Sequence, residues 1–391
     1  MLFEGAAVVG AAVLIPKLVA CGQAAWYRHV RYPGLRRRMD RLDRPSVRIF
    51  VPCHGMTEEL AGNLDAIAGQ EYEPFDVVCV TEAADDPATV AIEQACARHP
   101  GLFRRVVAGA ATSCSQKNYN LLAAIRGHRD AEVYLFCDAK VRPRRDWVAR
   151  MVEPFTLQRP PVVVSALCSG GRYRGWSLPH VLQQQVACWQ SVSLMSFVGG
   201  VWGASMAIRR ADFERLGVEG LWSRTIVDDT TLFQRLIADE GRSAMFASLD
   251  ARPEPGYDME SMGGFLEWGV RQLQYVHHCL PRYRLPMSLR NLGALLGLAW
   301  PPALALAPPG SEWHAVGMLS LGLFAADTIL NLAAKPITAL PLPWRWHLLA
   351  APFWEAQWAV LTAAAVLRRK LDWRGVRYRV DRAGNVTAIR R

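Results

Sequence analysis

Residues 75–100 read FDVVCVTEAADDPATVAIEQACARHP. FDVVCVTE (75–82) is a short apolar run, the pattern of a strand buried on both faces. An acidic loop, EAADDP (82–87), follows, and Pro87 sits where a helix over 87–100 would make its first turn. The same unit recurs on either side. VRIFVPC (47–53) reads as a strand, and ELAGNLDAIAGQ (59–70) has helical spacing. FRRVVAG (103–109) reads as a third strand, and CSQKNYNLLAAIRG (114–127) as a helix closed by glycine. AEVYLFCDAKVRP (131–143) is a fourth strand that ends at Asp138. Strands alternating with helices predict an α/β fold with a mostly parallel sheet. Such sheets bind ligands beyond the carboxyl ends of their strands, beside the topological switch. Glu82, Asp85, Asp86 and Asp138 all fall at or just past such ends.

The chain has 391 residues, 51% of them apolar and 20% charged, which excludes a disordered protein. Its net charge of +10 is not evenly spread. Residues 27–48 hold +6 and residues 368–391 hold +7, so everything else sums to −3. Each basic segment follows an apolar run. Residues 6–26 are apolar apart from Lys17 and Gln23, about the length that crosses a bilayer. The arginines after that run place residues 27–46 and the block 47–285 in the cytoplasm, and they argue against a cleaved signal peptide. Lys17 is awkward at mid-span, which suggests snorkelling or a tilted, shallow run. Residues 291–311 and 313–334 form an expected transmembrane hairpin around a PPGSE spacer. Residues 344–367, with Trp344, Trp346, Trp354 and Trp358, suit an interfacial segment. The expected organisation is a spanning helix (1–26), a basic juxtamembrane segment (27–46), a cytosolic catalytic domain (47–285), a membrane hairpin with an interfacial helix (286–367) and a basic cytosolic tail (368–391). This describes a multi-pass protein of a bacterial-type cell membrane. The nine cysteines form no CxxC pair and no zinc spacing, so neither a disulfide framework nor a structural metal is expected.

The chemistry falls to carboxylates. A single one at a strand end is usually a turn or cap residue. Several at corresponding positions of one sheet can hold a divalent cation, which in turn holds phosphate oxygens. Asp138 alone, with Mg2+ or Mn2+ and a diphosphate, could suffice. Asp228 and Asp229 open VDDTTLFQRLIADEG (227–241), either as acidic residues favoured at a helix start or as a general base at a cleft mouth. Lys117 is the basic member of the group. WSLPHVLQQQVACWQSVSLMSFVGGVWGASMAIRR (176–210) reads as core helix plus strand, or as a lipid-acceptor platform in which Trp176, Trp189 and Trp202 meet the membrane near Gly203. No P-loop or dinucleotide fingerprint occurs, and the basic segments lack the interleaved aromatics of a nucleic-acid surface, so no nucleic-acid partner is expected.

CVTEAADDPATV (79–90), CSQKNYNL (114–121), FCDAKVRP (136–143), the VDD run and WRGVRYRV (373–380) occur here in the order and rough spacing of ceramide glucosyltransferases. The chain resembles these membrane-bound inverting glycosyltransferases, which carry a GT-A nucleotide-sugar domain, from about residue 45 to its end. The resemblance implies a UDP-sugar donor and a lipid acceptor such as ceramide. It implies that Glu82, with Asp86, seats the uridine. Lys117 would meet the nucleotide, Asp138 would bind the metal and Asp229 would be the catalytic base beside Asp228. The family's last cytosolic motif, Arg/Gln-x-x-Arg-Trp, corresponds to RQLQY (271–275). Arg271 fits, while Gln274 and Tyr275 replace the Arg and Trp. The DxD pattern likewise reads Asp138-Ala139-Lys140. A hopanoid acceptor with UDP-N-acetylglucosamine, or a catalytically dead membrane scaffold, are the alternatives.

Overall fold

A computed structural model describes residues 2–39, 44–167, 176–256, 261–299, 304–368 and 370–391. Helix α1 (Leu2–Trp26) runs through a π-turn at Tyr27–Arg31 into α2 (Tyr32–Arg36). Then come β1 (Val47–Pro52), α3 (Leu60–Ala68), β2 (Phe75–Thr81), α4 (Ala88–Arg98), β3 (Phe103–Val107), α5 (Gln116–Gly127) and β4 (Val133–Cys137). Next are β5 (Val141–Arg142), α6 (Trp147–Val152), β6 (Val163–Ala166), α7 (Leu178–Met195), β7 (Ser205–Arg209), α8 (Arg210–Arg215), α9 (Val218–Trp222) and α10 (Asp229–Asp239). After β8 (Met245–Ser248) and β9 (Glu254–Pro255) the chain is helical through α11 (Met262–Cys279), α12 (Pro281–Ala299), α13 (Glu312–Thr338), α14 (Trp344–Ala350) and α15 (Trp354–Leu367). It closes with β10 (Leu371–Trp373), β11 (Val376–Val380) and β12 (Val386–Arg390).

Contacts group the chain into two compact units. The α/β unit comprises Arg28–Tyr173, Gly199–Tyr257 and Lys370–Arg391. Its seven-stranded sheet has the order β3-β2-β1-β4-β7-β6-β8. β1, β2, β3 and β4 pair in parallel, as do β6 and β8, and β7 alone runs against its neighbours. The α/β class and the four expected strands are as the sequence reads. β4 returns to the far side of β1 from β2, so the switch point lies between β1 and β4. Ile49, Val51, Val77, Cys79, Val133 and Leu135 are fully or almost fully buried, which is why these strands read as continuous apolar runs.

The helical unit comprises Met1–Tyr27, Arg174–Val198 and Asp258–Arg369. It cuts across the expected segment boundaries, for packing reasons. α7 joins the helices: Cys188 Sγ lies 3.3 Å from Thr338 Oγ1, and the Leu182 carbonyl accepts a bond from Gln357 (3.0 Å). α11 lies close to α15, where a Cβ at Gly269 would come within 3.0 Å of Leu361. Residues 370–391 are no tail. They form a three-stranded antiparallel sheet of the α/β unit, with Tyr378 fully buried. Among the described residues two helices, Phe3–Arg36 and Glu312–Thr338, are long and apolar enough to cross a membrane. The expected hairpin arm 313–334 lies in α13, and the arm 291–311 lies partly in α12, with residues 300–303 outside the described residues.

Lys17 neither snorkels nor reaches the surface. It is 5% exposed and pairs with Asp327 of α13 and with Glu355 Oε1 of α15 at 2.6 Å. Asn331 Oδ1 accepts a third bond at 3.0 Å, and the ammonium stands 4.8 Å from the centre of the Trp189 ring of α7. One charge therefore ties four helices together. Removing one partner of a buried ionic cluster leaves uncompensated charge, at a cost of about 3–5 kcal/mol. Lys17→Met is expected to destabilise the detergent-solubilised protein by that order, read as a lowered melting temperature. The triple K17M/D327L/E355L should recover much of the loss. An unchanged melting temperature in K17M would contradict the pairing.

Candidate active site

Asp138 is the first residue beyond β4, beside the carboxyl end of β1. Its backbone N–H donates to the Ala204 carbonyl at 3.2 Å, and its carbonyl accepts from Val141 N–H at 2.9 Å, so a tight turn fixes it. Lys117 lies in the first turn of α5, whose start is capped by Ser115 accepting the Asn118 N–H at 3.2 Å. The Lys117 ammonium bridges Asp138 Oδ1 (2.9 Å) and Asp228 Oδ2 (3.0 Å), and donates to the Gly203 carbonyl at 3.4 Å. Asp229 opens α10. Its Oδ2 accepts the Gly203 N–H at 2.8 Å, and its Oδ1 accepts the Thr230 hydroxyl at 3.0 Å. Four segments distant in sequence thus converge on one ammonium and three carboxylates.

Gly203 is the spacer of this group. A Cβ there would fall 2.7 Å from Asp228 Oδ2 and 2.9 Å from Asp229 Oδ2, closer than real Cβ contacts come. The sequence reading placed Gly203 and Trp202 at the acceptor. The bare Gly203 lets both aspartates approach its backbone, and the Trp202 N–H donates to Ser165 Oγ at 2.9 Å. Burial works against the Lys117 charge, but Asp138, Asp228 and Asp229 outweigh it and hold the ammonium above its ordinary pKa. Asp228 is pushed up to about 6 by burial, against the pull of Lys117, and further by Asp229 and Asp138.

A cleft of about 820 Å3, counting space open to solvent, lies at this edge of the sheet. Asp138, Lys117, Lys140, Glu82, Gln116 and the His54–Gly55 loop line it, and so do Trp373, Arg374, Val376 and Tyr378 of the C-terminal sheet. Glu82 is at its expected place and pairs with Arg391, whose other nitrogen donates to Gln116 Oε1 at 2.7 Å. Asp86 lies in the loop beside Glu82. Its buried carboxylate accepts the N–H groups of Gly55 and Ala88, both at 2.9 Å, and so pins the loop after β1 to the start of α4.

Among the described residues no three His, Cys, Asp or Glu side chains gather closely enough to hold a metal ion. Asp138, about 40% exposed at the cleft, is a single oxygen donor. That fits Mg2+ or Mn2+ shared with a ligand's phosphate oxygens, since such ions bind through one or two carboxylates plus phosphates. Arg271, Gln274 and Tyr275 lie on α11 in the helical unit. Gln274 is buried there, and its amide donates to the Arg368 carbonyl at 3.0 Å, a helix-packing contact.

The C-terminal residues of the cleft were not expected from the sequence as site residues. The signal was present: VRYRV alternates, and Arg374-Gly375 sits where a two-residue hairpin turn belongs.

Two outcomes follow from the carboxylate group. An acid with a pKa raised on folding binds more protons folded than unfolded, so its contribution to stability falls as pH rises between the ordinary 3.8 and about 6. In EDTA the melting temperature of the wild type should therefore fall relative to that of D228N across this window. Parallel curves would contradict the burial of an ionised Asp228. Gly203→Ala should cut turnover at least about tenfold through displaced aspartates, an effect worth about 1.4 kcal/mol or more. A G203A protein with wild-type turnover would contradict the close approach.

No curated protein matches the chain. Among solved structures, a mannosyltransferase from Pyrobaculum calidifontis, in complex with GDP-Man and Mn2+, is 21% identical, covering 92% of this chain and 98% of that one at a TM-score of 0.48. A glucosyl-3-phosphoglycerate synthase from Mycobacterium tuberculosis, in complex with Mn2+, uridine-diphosphate and glucosyl-3-phosphoglycerate, is 11% identical over 52% of this chain and 69% of that one, with a TM-score of 0.34. S. aureus TarS 1-349 is 12% identical over 85% and 96%, with a TM-score of 0.39. Likenesses this distant carry no reading of substrate. The family model of glycosyl transferase family 21 matches residues 12–386, nearly the whole chain, and the protein belongs to that family of glycosyltransferases.

Proposed function

We propose that this protein is an inverting GT-A glycosyltransferase that moves a sugar, glucose in the first instance, from a UDP-sugar to the primary hydroxyl of a membrane lipid such as ceramide. Its α/β unit would lie in the cytoplasm at the inner face of a cell membrane, anchored by α1 and α13. The observation that carries the reading is the carboxylate–ammonium group at the sheet's switch point, on an open cleft lined by Glu82, Lys117 and Asp138, in a chain of this family.

Asp138 would hold Mg2+ or Mn2+, which, when bound, offsets charge developing on the departing diphosphate. The protein's own groups divide the rest of the work. Glu82 and the His54–Gly55 loop receive the nucleoside end of the donor. Lys117 holds Asp138 and Asp228 together as their shared counter-charge. Asp229 takes the proton from the acceptor hydroxyl, and the oxygen attacks the anomeric carbon from the face opposite the leaving UDP. One displacement inverts the configuration, with no covalent enzyme intermediate. Gly203 N–H and Thr230 orient the Asp229 carboxylate for this step.

Purified protein offered a panel of UDP-sugars with ceramide and with hopanoid acceptors, and analysed by lipid mass spectrometry, tests the reading. A hexosylceramide supports it. A product formed only on hopanoid from UDP-N-acetylglucosamine would replace the substrates, and no UDP release with any pair would overturn the enzyme. Asp229→Asn is expected to lower turnover by about 10²–10⁴, the usual contribution of a general base. UDP binding should stay within a few-fold of wild type. Wild-type turnover in D229N would remove the base assignment.

A further inference from the structure

We infer that Arg374, at the tip of the C-terminal β-hairpin, is a donor-binding residue whose guanidinium meets the phosphates of the nucleotide. This rests on the nucleotide-sugar reading above. Three contacts hold the hairpin against the cleft. Arg374 Nη1 donates to the His54 carbonyl at 2.7 Å, Gln116 N–H donates to the Tyr378 hydroxyl at 3.2 Å, and Arg391 bridges Glu82 and Gln116. Arg374 therefore lines the same cleft as Asp138 and Lys140. Its backbone is at φ 49° and that of Gly375 at φ 80°, a two-residue turn in which asparagine or glycine would sit with less strain. An arginine at such a position points to its side chain as the reason.

The charge balance favours the same conclusion. The Lys117 ammonium is committed to Asp138 and Asp228. The arginine expected in the RQLQY segment is Gln274, which serves helix packing instead. A diphosphate at Asp138 needs cations from elsewhere on the cleft wall, and a planar guanidinium fork matches phosphate oxygens in pairs. The hairpin tip brings one there.

Calorimetric titration of the full-length protein in detergent with Mn2+ tests this, using UDP and uridine as probes. Arg374→Gln keeps the same backbone burden. It should weaken UDP binding at least tenfold and leave uridine within twofold, while R374K loses less. Arg377→Gln removes a cation from the same hairpin, one that pairs with Asp372 at 2.7 Å, and should bind UDP as wild type does. Thermal melts of all three variants exclude loss of the sheet. Unchanged UDP affinity in R374Q, an equal loss for uridine, or an equal loss in R377Q would overturn the inference. A wild type that binds no UDP would overturn the donor reading together with it.

Discussion

Everything in the candidate site hangs on the Lys117 ammonium. Asp138 and Asp228 approach each other from opposite sides of it, one from the end of β4 and one from the start of α10. The ammonium is their shared counter-charge, and burial raises the pKa of Asp228 against its pull. Lys117 is itself aimed by α5, whose Ser115 cap and Asn118 bonds to Thr225 fix the helix against the segment leading to α10. The arrangement is reciprocal: the helix places the charge, and the charge closes the site across three elements.

The same economy governs the net positive charge. The arginines after α1 look like a membrane signal in sequence, yet Arg36 meets Glu153 at 3.0 Å and Arg48 meets Asp76 at 2.6 Å inside the α/β unit. In the last segment Arg391 pairs with Glu82 of the body. Part of the surplus is therefore spent on the slightly acidic body. The helical unit shows the matching case in reverse, with a lone lysine spent on two carboxylates.

The α/β architecture was legible because parallel strands are buried on both faces and leave long apolar runs, each ending in a polar loop. Glu82, Asp138 and the Asp228–Asp229 pair were legible because strand ends and helix starts locate them within a residue or two. Gly203 was not, since its role depends on a distance to carboxylates 25 and 26 positions away, which no local pattern encodes. The bonds of Asp86 to Gly55 and Ala88 were not legible, because an acidic residue that caps a turn and one that meets a ligand look alike in a loop. α7 and the C-terminal sheet were misassigned because contiguity in sequence is a poor guide when a chain leaves a unit and re-enters it.

That re-entry has a consequence for how the molecule is made. The hairpin that walls the cleft is synthesised after all the long helices, more than 230 residues later than Asp138. A nascent chain can pair β1 to β4 early, yet it carries an open, unwalled cleft through the whole period in which its helices are produced. An incomplete product with a well-formed sheet would therefore lack one side of its cleft.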